Sequence, residues 1–115
     1  MSIAVAFMCR KGNKLQVLNP VWNLGSGDLI LDEGSLLSTG AWVVSEKKAD
    51  KLVGKNLVLC ETRLGEAYAG GLITGYSLDK DENNNPRTTL HFTLDKKLIG
   101  FKVRNWVEQN PVHYI

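Results

Sequence analysis

Cysteine and histidine are scarce in this chain, and their scarcity argues against several kinds of site. Two of each occur in 115 residues, and none forms a close pair such as C-x-x-C or H-x-x-x-H. Structural zinc sites are built from such pairs, so the sequence predicts no metal site and no cofactor. Cys9 and Cys60 each lie in an apolar run, which is typical of free buried thiols in a reducing compartment.

Long apolar runs and a strong charge bias are also missing. No run approaches the roughly 18–20 residues of a membrane-spanning helix. The apolar stretch in MSIAVAFMCRKG has no basic residue before it, so we interpret it as a first strand and expect a cytoplasmic protein with no membrane partner. Fourteen basic and twelve acidic residues give a net charge of +2, which does not indicate a nucleic-acid partner by itself. The length fits one domain, residues 1–115.

Signatures of catalysis are absent as well. There is no G-x-S-x-G elbow, and neither GSGD nor AGGLITG opens a helix in the Walker or Rossmann pattern. His91 lies on the polar face of a predicted strand, where it could act as a base beside Glu61 or Asp95. A lone strand histidine is more often solvated, and no paired nucleophile is evident. We therefore expect a protein that is not an enzyme.

Short apolar segments are frequent, and they predict strands over 2–9, 14–19, 28–33, 41–45, 56–62, 67–78, 87–94 and 100–106, with a short strand in the tail PVHYI. A helix is predicted over 46–53, because Ser45 is a good N-cap and Gly54 a good stop. A second helical turn is possible near Asn105. The Asn-, Asp- and Pro-rich segment 79–87 predicts a long hairpin loop.

The density of strands predicts the fold class. The chain is expected to be mainly β (α+β), a small β-barrel of mostly antiparallel strands with one or two short helices, because closure removes exposed edges. The alternative is an open antiparallel α+β sheet. Gly70, Gly71 and Gly75 lie inside one predicted strand, where they indicate either a barrel corner or the close approach of a ligand or backbone.

The segment LVGKNLVLCETRLGEAYAGGLITGYSL, residues 52–78, is similar to a pattern in PUA-like domains, the group that includes the ASCH and EVE families. In these a short helix and a glycine turn lead into an apolar strand, and a glycine-containing strand then returns across the barrel. The resemblance implies a PUA-like barrel that binds RNA or a modified base in a cleft with an aromatic wall. The Gly-x-Lys-x-x-Thr motif of enzyme-like ASCH members is missing here, which counts against an enzymatic activity.

Two groups of basic residues could serve a nucleic-acid partner. They are Lys47, Lys48, Lys51 and Lys55 around the helix, and Lys96, Lys97, Lys102 and Arg104 near the chain end. Such groups are more often a solvated helix face and a charged sheet edge that blocks aggregation. Nucleic-acid binding requires that both share a face and flank aromatic side chains on which bases stack.

These observations predict a ligand cleft between the short helix and the glycine-containing strand. A tryptophan would form one wall, and basic side chains at the rim would hold a phosphate. The predicted binding residues are Trp22, Lys51, Lys55, Gly70, Gly71, Arg104 and Trp106. The predicted function is a non-enzymatic binding module for RNA, DNA or a modified base. The alternative is a small-molecule or protein-interaction domain that self-associates as a homodimer.

Overall fold

The structure is a computed structural model, and it describes residues 3–10, 15–18, 21–22, 25–26, 29–30, 33–63, 65–106 and 110–115. The strands are β1 (Ile3–Met8), β2 (Leu15–Val17), β3 (Val21–Trp22), β4 (Leu29–Ile30), β5 (Leu36–Trp42), β6 (Asn56–Cys60), β7 (Ala67–Lys80), β8 (Pro86–Leu94) and β9 (Val112–Tyr114). The helices are α1 (Glu46–Leu52) and a 3₁₀ helix (Lys96–Leu98).

Seven strands form one mixed sheet in the order β2-β5-β8-β7-β6-β1-β9, while β3 and β4 pair with each other. The neighbours in the large sheet are antiparallel except β1 and β6, which are parallel. Among the described residues β2 and β9 lie at opposite ends of the sheet and do not pair. The prediction of a mainly β chain with a short helix is confirmed. The sheet is open, so the predicted closed barrel is not confirmed.

Local signals place helix α1 where the sequence predicts it. The Ser45 hydroxyl accepts a hydrogen bond from the Lys48 N–H at 3.2 Å, which satisfies one of the unpaired donors of the first turn. Ala49 and Leu52 are buried, because their spacing places both on the face turned toward the sheet. Gly54 follows the helix with φ of +86°, a left-handed conformation that suits glycine.

The core lies on both faces of the sheet. On the face covered by α1, the rings of Phe7 and Trp42 stack with centroids 4.6 Å apart, and Phe92 joins the same buried cluster. On the other face, Leu98 of the 3₁₀ helix and Trp106 cover a smaller cluster. Because β1 and β6 contribute to both clusters, their sequences are almost continuously apolar rather than alternating.

Strands β7 and β8 form a longer hairpin than the sequence predicts. The predicted loop 79–87 contracts to a turn, with Lys80 paired to Pro86. The Asp81 carboxylate accepts hydrogen bonds from the backbone N–H groups of Asn83 and Asn85, both at 2.9 Å. These bonds close the turn locally and let the two strands continue to its base.

Two other predicted strands differ from what the structure shows. Strand β5 begins at Leu36, five residues before the predicted 41, because the residues from Leu36 to Thr39 pair with β8. The predicted strand 100–106 is wrong within the described residues, which contain only one isolated bridge there, between Lys102 and Glu66. Gly100 takes φ of +92°, which turns the chain before a strand can form.

Candidate functional site

Helix α1, the turn after it and strand β9 together form a basic hollow. Lys48 and Lys51 lie one turn apart on α1, and Lys55 follows the turn at Gly54. With Tyr114 they line a cavity of about 310 Å³, named here the lysine pocket. Its remaining lining residues are Ala4, Leu52 and Ile115.

The backbone that carries Lys55 is fixed to the sheet. The Gly54 N–H donates to the Ile73 carbonyl at 2.8 Å, and the Ile73 N–H donates to the Lys55 carbonyl at 2.8 Å. The turn therefore joins α1 to β7 through two hydrogen bonds. Lys55 is therefore carried by hydrogen-bonded backbone, as Lys48 and Lys51 are carried by the helix.

Tyr114 provides the aromatic side chain of the pocket. It lies on β9 opposite Val5 of β1, and the Lys48 Nζ lies 3.9 Å from its ring centroid. Such a contact is a cation–π interaction. Burial raises the pKa of the Tyr114 phenol above its usual value, so the group is neutral at physiological pH. Tyr114 stays 38% exposed, which leaves part of its surface open to a ligand.

The three lysines of the pocket form no ion pair with any described residue. The nearby helical carboxylate of Asp50 accepts a hydrogen bond from the Tyr76 hydroxyl at 2.9 Å. Three unpaired ammonium groups beside a neutral ring make a surface that suits an anion with a planar group attached.

A second basic hollow adjoins the lysine pocket. It has a volume of about 530 Å³ and is lined by Phe101, Lys102, Val103, Arg104, Asn105 and Ile115. Ile115 also lines the lysine pocket, so the two hollows meet there. Phe101 is 39% exposed, which places a second aromatic ring beside basic side chains.

The structure thus brings together part of the predicted site. Lys51 and Lys55 line one hollow and Arg104 lines the adjoining one. Lys48, Phe101 and Tyr114 were not among the predicted binding residues. Lys48 belongs to the basic group that the sequence shows, and Tyr114 lies in the predicted tail strand, but its place opposite β1 follows only from long-range pairing.

The two predicted glycines are buried and their surroundings are filled by protein. A Cβ added at Gly71 would collide with the Thr93 carbonyl oxygen, and one at Gly70 would lie 2.7 Å from the Leu57 carbonyl oxygen. The irregularity in the β7–β8 register lies further along, between Ile73 and Gly75. Gly70 and Gly71 therefore allow the close approach of backbone and leave no space there for a ligand.

Trp106 is also enclosed. It is 3% exposed, its ring stacks on His113 with centroids 5.4 Å apart, and its Nε1–H donates to the Asn110 carbonyl at 3.2 Å. It packs on the face of the sheet opposite α1, so it does not form a wall beside the helix. The side chain of Trp22 lies outside the described residues.

The other reactive side chains have ordinary partners. His91 Nε2 lies 3.3 Å from the Ser77 hydroxyl. The Cys9 thiol lies 2.9 Å from the Tyr68 hydroxyl, and neither cysteine is in a disulfide. Burial, with a smaller effect of Cys9, raises the pKa of the Cys60 thiol to about 11. Cys60 is therefore protonated and unreactive at neutral pH.

The described residues lack two further features. They contain no group of three or more His, Cys, Asp and Glu side chains that could hold a metal ion. No helix among them combines the length and the apolar character needed to cross a membrane.

Comparisons of the chain with protein-family models, with curated proteins and with solved structures found no match. The geometry of the two basic hollows is therefore the basis on which a function can be argued.

Proposed function

We propose that this chain is a non-enzymatic binding module for single-stranded nucleic acid, with the lysine pocket as its phosphate-binding surface. One observation carries the proposal. Lys48, Lys51 and Lys55, which have no ion-pair partner among the described residues, line one hollow together with the exposed Tyr114. Proteins that bind single strands combine a positive groove with aromatic rings on which bases stack.

The lysines act on the phosphate backbone. Each ammonium group is a compact charge with three hydrogen-bond donors, which suits phosphate oxygens without selecting a sequence. Binding releases counterions condensed on the nucleic acid, and this release supplies most of the affinity. Because the net charge of the chain is only +2, attraction depends on this local concentration of charge.

Tyr114 acts on the bases. Stacking on an aromatic ring contributes roughly 1–3 kcal/mol per base and tolerates any base, because all bases have a π-face. Lys48 holds the ring through the cation–π contact. The second hollow, with Phe101 and Arg104, extends the same chemistry past Ile115, so the surface suits several linked nucleotides better than one phosphate.

The resemblance of residues 52–78 to PUA-like domains supports the same proposal, since members of that group bind RNA or modified bases. The segment covers the end of α1, the Gly54 turn, β6 and most of β7. A PUA-like arrangement of these elements is part of what we propose. The proposal assigns no reaction to the chain, and it takes the cytoplasm as the place of action.

A salt series tests the phosphate contacts. We expect labelled single-stranded RNA or DNA to bind with a log–log salt slope of about −2, since single strands give about −0.7 per phosphate contacted. The variant with Lys48, Lys51 and Lys55 all changed to Gln should bind at least about tenfold more weakly and lose most of the slope. The matched control, with Lys47, Lys96 and Lys97 changed to Gln, loses the same charge and should bind nearly as the parent does.

Three results would contradict the proposal. They are no binding at low salt, binding that does not respond to salt, and equal weakening in both triple variants. The last result would mean that net charge, rather than the lysine pocket, attracts the nucleic acid.

The variant Tyr114→Leu tests the contribution of stacking to binding separately from that of charge. It removes the ring but no charge, so affinity should fall about fivefold to a hundredfold while the salt slope stays unchanged. Thermal melting with and without Tyr114→Leu checks that the fold is intact. An unchanged affinity would show that the ring takes no part.

A further inference from the structure

In the part of the chain that the structure describes, no strand pairs with one edge of the outer part of β7. On the side away from β8, strand β6 pairs with β7 only as far as Leu72. The last backbone bonds on that side join Ile73 to the turn after α1. Beyond them, β7 continues from Gly75 to Lys80 and pairs with β8 alone.

The hairpin turn fixes which backbone groups of this edge point outward. The Asp81 N–H donates to the Asn85 carbonyl at 2.9 Å, so these two residues form a hydrogen-bonded pair. Hydrogen-bonded and non-hydrogen-bonded pairs alternate along an antiparallel ladder. The residues in the non-hydrogen-bonded positions are therefore Tyr76, Leu78 and Lys80, and their N–H and C=O groups point away from β8.

Few of these outward N–H and C=O groups have a hydrogen-bond partner among the described residues. The Lys80 N–H is held by the Asp79 carboxylate at 2.8 Å. No described residue forms a hydrogen bond with the backbone of Tyr76 or Leu78 on that side. Leu78 is 53% exposed. An unpaired strand edge with an apolar centre is a template for another strand.

We propose that this edge pairs with the same edge of a second copy of the chain, antiparallel and centred on Leu78. The two-fold axis places Leu78 opposite Leu78 of the second copy. It places Tyr76 opposite Lys80, and Ser77 opposite Asp79. Every cross-strand pair is then favourable: an apolar contact, a cation beside an aromatic ring and a hydroxyl that donates to a carboxylate.

The neighbouring registers are less complementary. Centring the pairing on Asp79 places two carboxylates opposite each other, which is destabilising. Centring it on Ser77 places Lys80 opposite Thr74, the residue that the β7–β8 register skips. Both alternatives lose the Ser77–Asp79 pair, so charge and shape favour the Leu78 register.

The pairing also has a cost that limits its strength. In the free chain the Lys80 N–H is already bonded to Asp79, and in the dimer it donates instead to the Tyr76 carbonyl of the second copy. A contact of one strand edge is also smaller than the roughly 1,200–2,000 Å² that stable interfaces bury. We therefore expect a dimer that dissociates on dilution.

Sedimentation velocity across micromolar to millimolar chain concentrations tests the dimer. The parent should shift from monomer to dimer as the concentration rises. Leu78→Asp places two carboxylates at the axis and should raise the dissociation constant about tenfold or more. The matched control is Leu72→Asp, at a similarly exposed leucine of the same strand whose edge is already paired with β6, and it should dimerise as the parent does.

Cross-linking tests the register in a Cys9→Ser background. Opposed residues in a hydrogen-bonded pair have Cα atoms about 5.5 Å apart, which is within disulfide range. Leu78→Cys should therefore give a covalent dimer on mild oxidation, whereas Ser77→Cys should not. A chain that stays monomeric throughout, an unaltered dimer in Leu78→Asp, or faster cross-linking of Ser77→Cys would each overturn the proposal.

Discussion

At Gly71 the neighbouring strand β8 leaves no room for a side chain. A Cβ there would collide with the Thr93 carbonyl oxygen and lie 3.1 Å from a ring carbon of Phe92. Gly75, four residues along the same strand, has no atom within 4 Å of an added Cβ. The two glycines thus occupy the same strand for different reasons, and only the first is required by packing.

Substitution by alanine should change the free energy of unfolding differently at these two positions. Gly71→Ala forces backbone apart and should lower the free energy of unfolding by about 1–3 kcal/mol or more, as overpacking does. Gly75→Ala meets no obstacle and should change it by less than about 1 kcal/mol. Urea denaturation of both variants measures the difference. Equal effects would show that close packing is not what Gly71 provides.

The carboxylate of Asp81 makes the folding stability of the chain depend on pH. Backbone hydrogen bonds, chiefly from Asn85, hold the pKa of Asp81 below its usual 3.8, and Arg87 forms an ion pair with it at 3.0 Å. A depressed folded-state pKa contributes stability that is present above pH 3.8 and is lost as pH falls through the folded value. Acid should therefore loosen the hairpin turn.

Replacing Asp81 by Asn tests this effect. The parent should lose more thermal stability than Asp81→Asn between about pH 6 and about pH 3, because only the parent has this carboxylate to protonate. The difference between the two melting-temperature changes is the measured quantity. An identical change in both proteins would contradict the role given to Asp81.

At the scale of elements, α1 links stability to the lysine pocket. The helix has seven residues, too few to be stable without tertiary packing. It is stabilised by the Ser45 cap and by burial of Ala49 and Leu52. Because α1 carries Lys48 and Lys51, any fraying of its first turn also disorders the pocket.

Loss of the cap should therefore destabilise the protein. Ser45→Ala should lower the free energy of unfolding by about 0.5–2 kcal/mol, whereas Ser45→Asp, which retains an acceptor, should be nearly neutral. Chemical denaturation measures both. If Ser45→Ala melts as the parent does, the hydroxyl does not stabilise the helix.

The sequence predicts α1 well because every signal for it is local: the cap, the spacing of apolar residues and the glycine stop. It predicts the glycine-containing strand β7 for the same reason. It does not predict the extent of the β7–β8 hairpin, since that depends on how the Asp81 carboxylate folds the turn. The predicted strand 100–106 failed because a glycine with positive φ interrupts it.

The residues of the candidate site also differ in whether local sequence predicts their position. Lys51 and Lys55 could be predicted because one helix and its turn bring them together. Tyr114 could not be placed beside them, because its position depends on pairing with Val5, at the other end of the chain. Trp106 was predicted as a wall from its place in the sequence, but its large apolar area is buried against His113.

At the scale of the whole molecule, the strands of the open sheet differ in how strongly they resist local opening. Strand β6 lies between β1 and β7, and its residues from Leu57 to Cys60 have no exposed surface. Strand β2 is at the edge, three residues long and only partly buried. Local opening should need much more free energy at β6 than at β2.

Amide hydrogen exchange should show this gradient. We expect the amides of β6 to exchange slowest, at rates set by global unfolding, and those of β2 to exchange faster by orders of magnitude. In samples dilute enough to be monomeric, the ladder of β7 gives an internal control, since the outward amide of Leu78 should exchange faster than the inward amide of Ser77. Uniform rates across these strands would contradict the observed sheet order.

The parallel pairing of β1 also affects how the chain folds. Its partners are β6, more than fifty residues later, and β9, at residues 112–114. On the ribosome β1 emerges well before both of its partners, and it pairs with neither until β6 has been made. Such long-range closure is slow. Meanwhile IAVAFM, six apolar residues without a charge or a proline, is exposed in a nascent chain and open to aggregation. Slower translation of the residues between β1 and β6 should therefore reduce the soluble yield more than it would for a fold built from hairpins alone.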